Sequence, residues 1–102
     1  MLKVETLVKR TLGRVNLSKT VAETRFELGE DPWGEKYVYV WVILRDGLPE
    51  KAWEQKALRP LREGIQDSIR AALRRVGVDR DVYVAFREKS EQDELDAEVV
   101  RR

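Results

Sequence analysis

Acidic side chains gather in one short reach of this chain, at Glu27, Glu30, Asp31 and Glu35. Carboxylates this close could hold a divalent cation, but hard cations need several oxygens at set spacings, and no calcium-loop pattern is present. A metal-dependent nuclease would follow an acid pair with acid-x-lysine on the next strand. Glu35 and Lys36 are adjacent instead, so on an extended chain they point to opposite sides. The group reads as a solubilising hairpin loop. Ser18, Ser68 and Ser90 have no histidine to activate them, because the chain has no His, and no Ser-x-x-Lys motif occurs. With no Cys either, the usual zinc sites and thiolate chemistry are excluded. The six glycines are scattered at turn positions and build no phosphate-cradling loop. The expectation is a protein that is not an enzyme and uses neither metal nor cofactor.

The residues suited to recognition are aromatic. YVYVWVIL, from Tyr37 to Leu44, runs without a charge and is rich in β-branched and aromatic types, the profile of a strand covered on both faces. Alternation sends Tyr37, Tyr39, Trp41 and Ile43 to one side and Val38, Val40, Val42 and Leu44 to the other. Trp33 sits in a turn-rich segment, GEDPWG, where it either folds back to cap the sheet end or anchors a partner.

Positioning these rings is the task of a chain of 102 residues, the size of one domain with a single core. Apolar residues make up 42% and charged ones 38%, which describes a globular chain with a dense ionic surface. The net charge of +1 conceals blocks: residues 1–19 hold five Lys/Arg against one acid, whereas residues 20–50 hold three against seven. Such blocks suit pairing between elements or with a protein partner better than coating a polyanion. No apolar run approaches the roughly 20 residues of a membrane span. The N-terminal residues carry charges too often for a signal peptide, so a cytoplasmic setting is expected.

Leu2, Val4, Leu7, Val8 and Leu12 lie on a loosely helical stripe that Gly13 ends. From Thr20 to Leu28 the chain alternates, with Ala22, Thr24, Phe26 and Leu28 on one face and Glu23, Arg25 and Glu27 on the other, as in a half-buried strand. After the central strand, Pro49 opens a helical region that Pro60 interrupts, giving pieces at about 50–58 and 60–76. Leu58, Leu61, Ile65, Ile69, Ala72, Leu73 and Val76 form the apolar stripe of the second piece, and Gly77 ends it. A third strand covers 81–87, with Val82, Val84 and Phe86 on one face and Tyr83, Ala85 and Arg87 on the other. Ser90 can cap a short tail helix that is either frayed or docked.

The chain is therefore expected to be one α+β domain: an N-terminal helix, then a three-stranded mixed sheet in order 1-2-3, packed by a Pro-interrupted amphipathic helix (α-β-β-α-α-β), with a short C-terminal helix. This order resembles the type II KH fold of bacterial RNA-binding and ribosome-assembly proteins, over most of the chain and on element order alone. That family binds RNA through a GxxG turn between its paired helices. The corresponding turn here reads Ala57-Leu58-Arg59-Pro60, so no site residue carries over.

One sheet face would then present Tyr37, Tyr39, Trp41, Ile43 and Tyr83, bordered by Arg25 and Arg87. A patch of this kind must be covered or used. Association, with a second copy or another protein, is the leading expectation, since aromatic centres with charged rims are the composition of interfaces. Burial beneath the N-terminal helix or the tail is one alternative. A platform that stacks RNA or single-stranded nucleic acid, with Arg25 and Arg87 on phosphates, is the other.

Overall fold

The computed structural model describes residues 3–101, so Leu2 lies outside the described residues. The elements run α1 (Val4–Arg14), β1 (Val21–Glu30), β2 (Lys36–Leu44), a 3-10 turn (Glu50–Trp53), α2 (Gln55–Arg75), β3 (Asp81–Glu88) and α3 (Lys89–Arg101). The sheet has the order β1-β2-β3, with β1 antiparallel and β3 parallel to the central β2.

Hydrophobic pattern explains the layers. Val38, Val40, Val42 and Leu44 are wholly buried on one face of β2, opposite Ile65, Ile69 and Leu73 of α2. Val82 joins them from β3, and Val8 and Leu12 of α1 complete the core beside α2. α1 therefore packs on the helical layer and does not cover the aromatic face, against one of the expectations above. α2 ends at Arg75, and Gly77, whose φ is +72°, admits the left-handed turn that follows. The Gly77 N–H donates to the Arg74 carbonyl at 3.0 Å, and that of Val78 donates to the Leu73 carbonyl at 2.9 Å. This turn sends Val78 into the core and leaves Val76 exposed, so the apolar stripe of α2 stops one residue group short of its expected end.

Two further boundaries differ from expectation. The helical region breaks at Glu54 (ψ 150°), not at Pro60, and α2 runs on through the proline. Pro60 falls in the second turn on an exposed side, where the lost donor leaves only the Lys56 carbonyl without its helical partner. In β1 the register slips between Val21 and Glu23. The bulge turns Ala22 outward and lets Val21 pack on the core in its place.

Candidate functional site

The pairing of β2 with β3 brings the rings together. Parallel register sets Tyr39 beside Tyr83 and Tyr37 beside Asp81. Tyr37 and Tyr83 meet edge-on at 6.2 Å between centroids, Tyr39 and Tyr83 lie 6.1 Å apart, and Tyr39 and Trp41 stand at 4.7 Å. Tyr83 remains 49% exposed, so this cluster is a surface and not a core.

Around it the hairpin and the start of β3 place acids. A hollow of about 420 Å³ opens between Tyr37, Tyr39 and Tyr83 on one side and Glu27, Asp31, Glu35 and Asp81 on the other. Asp31 is locally fixed: its Oδ1 accepts the backbone N–H groups of Trp33 and Glu35, both at 2.9 Å, and this closes the turn. Among the described residues, no ion pair engages Glu27, Glu35 or Asp81, and no cationic side chain lines the hollow. No group of three or more acids there is arranged to hold a metal ion, among the same residues. The hairpin acids thus frame an aromatic recess, which loop composition alone did not suggest.

The other end of the face is occupied by α3. Its first turn is held by Asp46, whose Oδ1 accepts the Ser90 N–H at 2.9 Å. The cap comes from a distant turn and not from the Ser90 side chain. Arg87 donates to Gln92 at 2.8 Å, Gln92 donates to Asp96 at 2.9 Å, and Asp96 takes both terminal nitrogens of Arg25 at 2.9 and 2.8 Å. The bidentate pair raises the Arg25 pKa and lowers that of the Asp96 carboxyl, in both cases chiefly through this hydrogen bond. Lys89 bridges Asp93 and Glu23. The helix therefore docks through polar contacts that run from β3 across to β1.

The expected interface residues divide accordingly. Tyr37, Tyr39, Trp41 and Tyr83 form one cluster. Ile43 is 0% exposed and is a correction: α3 covers this end of the face and removes Ile43 from any docking surface. Arg87 lies over Trp41, its Cζ 3.9 Å from the ring centroid, and also approaches Glu91. Arg25 is committed to Asp96 and Glu23. Trp33 is 86% exposed at the hairpin tip, so it caps nothing, and it lies outside the hollow's lining. Sequence reading missed Asp81, Gln92 and Asp96. Of these, Asp81 was findable, because parallel pairing places the first residue of β3 beside the first tyrosine of β2.

No protein-family model matches this chain, and no curated protein is significantly similar to it. No helix among the described residues is long and apolar enough to cross a membrane.

Proposed function

We propose that this domain is a non-catalytic protein–protein interaction module whose aromatic sheet face receives a partner carrying exposed Lys or Arg side chains. One observation carries the reading: three tyrosine rings, Tyr83 half exposed and Tyr37 and Tyr39 partly so, stand beside four acids in a hollow that no cation lines. An ammonium or guanidinium group entering it gains ring faces and carboxylates together. Cation–π contact adds about 0.5–2 kcal/mol, according to how far water is excluded. The rings themselves supply apolar area of about 150–250 Å² each when covered, before association costs are deducted.

A nucleic-acid platform fits the same rings less well. Phosphates would meet Glu27, Asp31, Glu35 and Asp81, and the two arginines suited to contact them are engaged by Asp96, Glu23, Gln92 and Glu91. The two readings separate in one comparison. Fluorescence anisotropy of a labelled tetra-arginine peptide and of a labelled oligothymidine, each titrated with the protein at low salt, should show saturable binding of the peptide alone. Binding of the oligonucleotide with a steep salt dependence, and none of the peptide, would overturn the proposal in favour of the platform.

A further inference from the structure

β1 is an edge strand of ten residues, and among the described residues no strand pairs with its outer side. The ladder's alternation is fixed at both ends, where Asp31 N–H donates to Glu35 and Arg45 N–H donates to Thr20, both at 2.9 Å. Glu23, Arg25, Glu27 and Gly29 therefore turn their backbone groups toward β2, and Thr24, Phe26 and Leu28 turn theirs outward. Beside that edge runs an open groove of about 890 Å³, with Leu12, Val15 and Leu17 on one wall and Phe26 and Leu28 on the other. A row of free backbone groups next to an apolar groove is a template for another strand.

We propose that the strand is β1 of a second copy of this chain, antiparallel and related by a two-fold axis at Phe26, so that two domains share one six-stranded sheet. Charge selects the register. An axis at Arg25 or at Glu27 sets like charges opposite each other. An axis at Thr24 runs the pairing into the bulge at Ala22. With the axis at Phe26, Arg25 of each copy, still held by its own Asp96, faces Glu27 of the other in a non-hydrogen-bonded pair, where side chains are closest. Thr24 then pairs with Leu28 of the second copy and Phe26 with its equivalent, giving about six backbone hydrogen bonds, two for each of three pairs. The same residues turn their side chains into the groove.

α3 touches the same strand from the other face of the sheet: its Lys89 reaches Glu23 and its Asp96 takes Arg25. Beyond Asp96 this helix keeps Val99 and Val100 73% and 85% exposed. This association uses the sheet's edge and goes beyond the docking reading for its face, with which it shares Glu27.

Sedimentation equilibrium over a concentration series tests the pairing. Wild-type protein should be a dimer. Thr24→Pro, which removes an outward N–H and leaves the ladder to β2 intact, should be monomeric with an unchanged far-UV spectrum. Glu27→Arg sets Arg against Arg twice and should raise the dissociation constant roughly tenfold. Glu30→Arg, outside the ion-pair register, should leave it unchanged. A wild-type monomer at all concentrations, a dimer that Thr24→Pro does not dissociate, or equal weakening by Glu27→Arg and Glu30→Arg would each overturn the proposal.

Discussion

The ring of Tyr37 occupies the space that a side chain at position 29 would fill. Gly29 is paired with Tyr37 across the hairpin, and a Cβ built on it would lie 2.2 Å from both Cζ and Oη of that ring. The glycine thus lets the tyrosine fold across β1, and the tyrosine forms one wall of the acidic hollow. The backbone at Gly29 needs no left-handed conformation, so the requirement is for space alone.

Gly29→Ala should therefore swing Tyr37 out of the hollow at little cost to the fold. The ring is partly exposed and can move, so the stability change should stay within about 1 kcal/mol. The edge-on contact with Tyr83 should be lost, which the ring proton shifts of both tyrosines would report.

Docking of α3 should weaken in acid. Arg25 holds the Asp96 carboxyl below its ordinary value of 3.8, mainly through their hydrogen bond and with help from Gln92. A carboxyl depressed in the folded state contributes stability that is fully present above its unfolded value and is lost as pH falls through the folded one. Amide exchange in α3 should accordingly quicken, relative to β2, as pH drops below about 4. Asp96→Asn should show fast α3 exchange already at neutral pH and no further acid-linked change.

Two glycines, one inside α2 and one in the turn after it, should respond with opposite signs. Gly64 lies inside the helix with open space where a Cβ would go, so Gly64→Ala should stabilise the domain by about 0.5–1 kcal/mol. Gly77 has a φ of +72°, so Gly77→Ala should destabilise it by about 1 kcal/mol. Urea denaturation of both variants measures the pair.

The layers of this fold were legible because each rests on a period that one stretch of sequence carries. Valines and leucine at alternate positions from Val38 placed β2 in the middle of the sheet, and spacings of three and four from Leu58 placed α2 over it. What was not legible depended on residues far apart. A break at Pro60 follows from local sterics, but the chain turns at Glu54, where Trp53 packs on the core and ends the preceding helical turn. The bulge at Ala22 answers to register with β2 and leaves no mark in the alternation of β1. Above all, a search for an apolar stripe in α3 finds only Leu95 and Val99. The helix is held by Asp96 and Gln92 against Arg25 and Arg87, contacts that residue type alone does not reveal. The aromatic patch was visible in outline, and its acid rim appeared only once β3 had brought Asp81 beside Tyr37.

The central claim is that the tyrosine hollow is where a basic side chain docks. Its most direct test is a heteronuclear NMR titration of the uniformly labelled protein with tetra-arginine. The account predicts saturable shifts centred on Tyr37, Tyr39, Tyr83 and the 31–35 turn, abolished in the Glu35→Gln, Asp81→Asn double variant. Shifts spread over the acidic residues of α3, or unchanged by the double variant, would contradict it.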